Sequence, residues 1–207
     1  YIIEHIGGHH VYACTAKDPH TARRNESFYL FLPRALKNTF RNAWQIECNR
    51  LIKKQQSPAG SHNRMLVFLS VHFIAAVLVM LLAGWPVFIF LLLQSAVAVF
   101  LLHITNYLQH YGLQRKETQP GRPEKINTHH AWSSRKGKDG LNLFQLENHA
   151  DHHIHPGRSY EQLQPHDDSP QMPAGYSGMI MLALIPPLWF RIMNKRIPSF
   201  ITQNTEV

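Results

Sequence analysis

Two apolar runs limit what this chain can fold into. Residues 65–82 read MLVFLSVHFIAAVLVMLL and residues 87–104 read VFIFLLLQSAVAVFLLHI, neither containing Asp, Glu, Lys or Arg. Each has about the length a helix needs to cross a bilayer, and each is too long for an ordinary strand. Between them lies Gly84-Trp85-Pro86. Glycine ends one helix, proline opens the next, and tryptophan suits a membrane interface. So short a connection predicts an antiparallel pair whose outer ends emerge on one side. A buried helical hairpin in a soluble protein is the alternative, and a signal peptide is excluded by the mid-chain position.

The charges orient that pair. Between Pro33 and Arg64 lie Arg34, Lys37, Arg41, Arg50, Lys53, Lys54 and Arg64 against the single acid Glu47, and Arg115, Lys116, Arg122 and Lys125 follow the pair; the Gly-Trp-Pro turn has no basic residue. The positive-inside rule places both polar stretches in the cytoplasm. The net charge of +8 is then read as anchoring to anionic membrane lipid, and it favours an acidic protein partner. Nucleic acid is excluded as a partner, because no recognition motif accompanies the basic residues. Cys14 and Cys48 form neither a CxxC pair nor a disulfide framework and are read as inert thiols in a reducing compartment.

The expected fold class is all-α, a multi-pass transmembrane helical protein. Residues 1–64 form a cytoplasmic helical segment broken at Pro33 and at Ser57-Pro58-Ala59-Gly60. Residues 65–112 form the membrane hairpin. Residues 113–207 comprise a polar loop, a helix from Leu141 to Ile154, and an apolar stretch at 175–190 that reads as interfacial or re-entrant.

Fifteen histidines in 207 residues are the second constraint, because they cluster. EHIGGHH occupies residues 4–10, and NHADHH residues 148–153. On an α-helix His5 and His9 project from one face and can share a metal, whereas His10 points about 100° from His9. Adjacent histidines therefore suit two neighbouring ions. His149, His152 and His153 repeat the logic. His110, in NYLQHYGL, lies 24 residues after Pro86, about 36 Å along a helix and so just beyond a hydrocarbon core of about 30 Å. It would emerge where the clusters can meet it. His72 and His103 fall inside the runs and read as imidazoles bonded to backbone carbonyls. His129 and His130 fall in a loop, with His130 a candidate to contact the ligands from outside. His20, His62, His155 and His166 read as surface residues. Glu4, Glu147 and Asp151 are candidates to accept hydrogen bonds from the ligating imidazoles. Imidazole suits zinc, copper, iron and nickel alike, but more ligands gather than one zinc needs, and paired iron better matches oxygen chemistry on a lipid-soluble substrate. A histidine-rich metal transporter would instead place histidines at the membrane midplane.

EHIGGHH resembles the EHxxGHH box, NYLQHYGL the NYxxHYG box, and LENHADHHIHP the LQRHSDHHxxP box of the integral-membrane alkane monooxygenases, in the membrane fatty-acid desaturase and hydroxylase superfamily. TAKDPHTARRNESFYLFLPR, HHAWSS, SYEQLQPHDDSPQMPAGYSGMI and IPPLW are similar too, so the resemblance covers nearly the whole chain. It implies a multi-pass enzyme of the bacterial inner membrane with a cytoplasmic di-iron site held by nine histidines. By motif match seven of these are His5, His9, His10, His110, His149, His152 and His153. The other two belong to an HxxxH box expected upstream of Tyr1, so the chain is expected to be the C-terminal part of a longer one, inactive by itself. The implied reaction is terminal hydroxylation of medium- or long-chain alkanes with O2, using electrons from rubredoxin and rubredoxin reductase. Xylene and other aromatic-methyl monooxygenases and fatty-acid desaturases share the histidine logic. Gln109, Glu147-Asn148 and Ala150 depart from the boxes beside the ligands.

Overall fold

A computed structural model describes residues 1–119, 121–134 and 144–198. The first ten residues or so are helical. Ser27 then caps a long helix, Phe28–Lys53, by accepting the Leu30 backbone N–H. The expected break at Pro33 does not occur. Phe28, Phe31 and Ala35 are all buried on one face around it, and that burial offsets the backbone hydrogen bond proline cannot donate. The Ser57–Gly60 break does form a turn.

The apolar runs lie in Arg64–His110, helical except at Gly84, whose φ of 78° and ψ of 176° reverse the chain. Both ends of this segment return to residues 1–3. Ile3 packs with Met65 and Ala43, while the Asn106 amide donates to Tyr1 OH at 3.3 Å. A straight helix of this length would separate its ends by about 70 Å, so the segment is a hairpin. Its side chains are largely bare, with Leu82 83% and Phe73 70% exposed. His72 and His103 bond the carbonyls of Phe68 and Val99 four residues back, at 2.7 and 2.8 Å.

The long helix joins the two bases of the hairpin. Phe28 meets Phe100 and Tyr107 on the second arm, with ring centroids 5.2 and 5.7 Å apart. Nearer its other end, the buried Glu47 accepts the Arg64 backbone N–H at 2.8 Å and pairs with the Arg64 guanidinium at 2.7 Å.

The core gathers at the inner end of the second arm, where Phe28, Phe31, Ile104, Tyr107, Tyr111, Trp132 and Trp189 are buried. Fully burying one such side chain contributes about 1.5–3 kcal/mol. The Trp132 indole N–H donates to the Tyr111 carbonyl at 2.9 Å, which draws the HHAWSS segment over the hairpin's end. The apolar stretch expected to be interfacial divides into helices Tyr176–Ala183 and Pro186–Met193. Their inner faces, including Met179, Trp189 and Met193, complete this core. One departure from an all-α chain is a short antiparallel ribbon pairing Glu117–Gln119 with Arg122–Pro123. The helix expected from Leu141 is seen as a 3-10 turn Leu146–Asn148 followed by an α-helix His149–Ile154; its expected first residues, 141–143, lie outside the described residues.

Candidate metal centre

The structure brings all seven motif histidines together as two adjoining groups. The nitrogens of His9, His110, His149 and His153 lie within 4.8 Å of one another and are buried; those of His5, His10 and His152 do the same and are half-buried. His10 and His153 link the groups, their rings 4.9 Å apart.

The partition differs from the α-helical expectation, in which His5 and His9 share an ion. Residues His5–His9 form a π-helix, and the His10 backbone N–H reaches the His5 carbonyl. A π turn hydrogen-bonds residues five apart and so brings them within reach of one another. His5 and His10 therefore pair, Nε2 to Nε2 at 3.2 Å, and His9 turns into the other group. The His149–Ile154 helix is α-helical, so His149 and His153 meet across one turn at 2.9 Å while His152 faces His10, ring centroids 4.7 Å apart.

Electrostatics keep these rings neutral. Burial pushes His9, His149 and His153 well below the ordinary imidazole value, and repulsion among the clustered rings adds to it. Burial likewise lowers His5 to about 3 and His10 to about 4. A neutral imidazole offers a lone pair, the form in which it ligates a cation. The inner group also contains a contradiction that a cation would resolve. The Nε2 atoms of His110, His149 and His153 sit 2.9–3.1 Å apart in a triangle. A ring nitrogen carries either one proton or one lone pair, so three of them cannot satisfy three mutual hydrogen bonds. His9 Nε2 is buried and unpartnered.

The outer nitrogens are held. His9 Nδ1 meets Asp18 Oδ2 at 3.0 Å, both side chains fully buried. Asp18 is fixed in turn by the Thr21 hydroxyl at 2.6 Å and the His20 backbone N–H at 3.0 Å. His110 Nδ1 meets the His130 carbonyl at 3.0 Å. Donating the Nδ1 proton leaves the Nε2 lone pair pointing into the group.

Several expectations for the surroundings need correcting. Glu4 does not reach any of the seven histidines; its carboxylate bonds His20 Nε2 at 2.8 Å. His20, expected on the surface, is fully buried between Glu4 and Thr39 because the turn at Asp18-Pro19 folds back against the long helix. Asp151 likewise serves other residues, accepting from His155, Arg158, His166 and the Gln164 backbone. His155 and His166 are therefore its partners and half-buried. The Glu147 carboxylate has a buried oxygen without a partner. His130 acts through its carbonyl, which also receives the Cys14 thiol at 2.9 Å, while its ring accepts the Asn127 backbone N–H at 3.0 Å. Asp18 was not foreseen. An Asp-Pro pair reads only as a turn, and nothing in its distance along the chain from His9 marks a contact.

Asp18 gives the first test. In the full-length protein Asp18→Ala should weaken metal binding about 10–100-fold, the usual effect of losing a partner behind a ligating imidazole. Asp18→Asn should recover part of the loss, since an amide oxygen accepts the bond without the charge. Metal titration measures both, and wild-type affinity in Asp18→Ala would show that His9 needs no such support.

The fold and the donor set together define a helical, membrane-associated protein with a histidine cluster able to bind metal. The chain belongs to the fatty acid desaturase family, whose family model matches residues 1–183. It is 43% identical to alkane 1-monooxygenase 1 of Pseudomonas aeruginosa over 96% of this chain and 52% of that protein. It is 41% identical to alkane 1-monooxygenase 2 of Alcanivorax borkumensis over the same shares. The xylene/toluene monooxygenase hydroxylase component of Pseudomonas putida is 32% identical over 93% of this chain and 51% of its own length. The chain thus spans about half the length of the curated relatives it matches.

Proposed function

We propose that the chain carries most of the di-iron centre of a membrane alkane 1-monooxygenase, with His9, His110, His149 and His153 serving one ion and His5, His10 and His152 the other. The observation that carries this is the pair of adjoining neutral imidazole groups in a chain with alkane 1-monooxygenase relatives. The spacing supports the metal. Nitrogens about 2.1 Å from one ion stand about 3.0 Å apart at octahedral angles and about 3.4 Å apart at tetrahedral ones. The 2.9–3.1 Å triangle is compatible with three nitrogens on one ion, and the choice of iron rests on the oxygen chemistry of the proposed reaction.

Bound iron would supply the activation of O2 that attack on an unactivated C–H bond requires, one oxygen atom entering the alkane and the other leaving as water. The chain's own residues supply positions. Asp18 and the His130 carbonyl hold the imidazoles of His9 and His110 in one tautomer. A cavity of about 310 Å³ opens beside the donors, its lining including His5, His149 and His152 together with Leu102, Leu146 and Leu163. An alkane terminus entering there would lie against imidazoles from both groups, with apolar side chains excluding water and fixing its direction. The electrons come, on this reading, from rubredoxin and rubredoxin reductase, supported by the basic charge of the polar segments.

The same reading places residues 1–64 and 113–207 in the cytoplasm of a bacterium and residues 65–112 across its inner membrane. Cysteine at position 85, introduced as Trp85→Cys at an exposed position of the turn, should react with a membrane-impermeant thiol reagent added outside the cell. Reaction only after lysis would reverse the orientation.

Iron content and turnover of the full-length protein test the function. About two irons per chain and 1-octanol from octane, with rubredoxin and its reductase supplied, are expected. Zinc in an active preparation would refute the redox reading. The likeness to the xylene/toluene relative gives a second reading, an aromatic-methyl hydroxylase; exclusive attack on xylene, or desaturation of an acyl chain, would select the related chemistry instead.

A further inference from the structure

The outward face of the long helix Phe28–Lys53 divides into two rows. Leu36, Phe40 and Trp44 follow one another at steps of four and are 41%, 52% and 37% exposed. Beside them run Lys37, Arg41 and Gln45, also exposed. Residues four apart lie one above the other on a helix, so between residues 36 and 45 one edge of the face is apolar and the other polar. Phe40 and Trp44 stack with ring centroids 6.5 Å apart.

The surroundings orient the two edges. On the helix wheel the apolar row adjoins Ala43 and Glu47, the residues that hold Met65 and Arg64 at the start of the hairpin. The polar row adjoins Arg34 and Asn42, which bond the turn at Lys17 to Thr21, a turn that meets the chain just past the second arm, where the Gly112 N–H donates to the Ala22 carbonyl. The helix meets the second arm at Phe28 and the first at Ala43 and Glu47, contacts up to about 28 Å apart along its axis, so it bridges the two arms.

We infer that Phe28–Lys53 lies in the plane of the membrane at its boundary, with Leu36, Phe40 and Trp44 among the acyl chains and Lys37 and Arg41 on anionic headgroups. This rests on the proposal that the hairpin crosses the membrane. The occupant is lipid for two reasons. The apolar row is continuous with the bare apolar surface of the hairpin, and the adjacent cations complement anionic lipid, as in helices that bind a bilayer from one side. The buried face of the same helix carries Thr39 against His20 and Ile46 against Gly7 and Gly8. Lipid contact on one side thus sets the depth of the histidine groups on the other.

Single spin-labelled cysteines test this in the full-length protein carrying Cys48→Ser, reconstituted in vesicles of phosphatidylethanolamine and phosphatidylglycerol. Substitutions at these exposed positions leave the buried face untouched. The ratio of O2 to water-soluble nickel collisions should be several-fold higher for Leu36→Cys, Phe40→Cys and Trp44→Cys than for Lys37→Cys and Arg41→Cys. Leu93→Cys on the hairpin is the control. Water-like values along both rows with a lipid-like Leu93→Cys would overturn the inference and leave the membrane reading standing. Protection from both reagents at 36, 40 and 44 would also overturn it, showing that protein covers the row. A water-like Leu93→Cys would refute the membrane reading itself.

Discussion

On the proposed di-iron reading, His149→Ala and His9→Ala, each made in the full-length protein, should abolish alkane hydroxylation while leaving membrane insertion intact. Both rings belong to the buried group, where three nitrogens already stand at coordination spacing. Removing a partner behind a ligand costs about 10–100-fold, and removing the ligand costs more, because the ion loses an occupied position. The loss should appear as missing iron as well as missing turnover. The protein should still insert, since insertion depends on the hairpin's apolar length and not on the donors. Iron analysis, octanol formation and membrane fractionation together read the outcome. Full activity in either variant would remove that histidine from the ligand set.

Gly8→Ala should be nearly as damaging, although it touches no donor atom. A Cβ at Gly8 would lie 2.5 Å from Glu4 Oε1 and 3.1 Å from Glu4 Cδ. Glu4 is fully buried and bonded to His20, so its carboxylate has little room to retreat. Overpacking of this kind costs about 1–3 kcal/mol, and here the displacement falls within the π turn that separates His5 from His9. Gly7→Ala is the matched comparison. Its Cβ would meet Ile46 Cγ2 at 3.1 Å, the edge of a half-buried, flexible side chain, and the gain of about 1 kcal/mol from replacing glycine in a helix offsets the contact. Thermal stability and iron content should fall in Gly8→Ala and hold in Gly7→Ala. Equal behaviour of the two would show that the Glu4 carboxylate is free to move.

The sequence exposes what depends on neighbours along the chain. The apolar runs and the Gly84 reversal are visible in local composition, and the histidine clusters in local spacing. The division of donors between groups is not visible, because residues 5–9 wind as a π-helix and do not keep α-helical phase. Asp151 illustrates a different error. It sits in the middle of the second histidine box, yet on an α-helix it points about 200° from His149. Phase alone should have sent its carboxylate away from the donors and toward His155 and His166. Asp18 and His20 were beyond reach, since only the folding of their turn against the long helix buries them beside His9 and Glu4. Pro33 reads as a break in the sequence because local propensity says nothing of Phe28 and Phe31 packing on the hairpin.

The π turn at His5–His9 absorbs a difference in chain length. One residue more than an α turn is accommodated between His5 and His10. A chain with one residue fewer there could wind as plain α-helix and would set its first and last histidines one turn apart, the division that His149, His152 and His153 already make. The winding of residues 5–9 thus lets a longer box deal out its rings as the shorter one does.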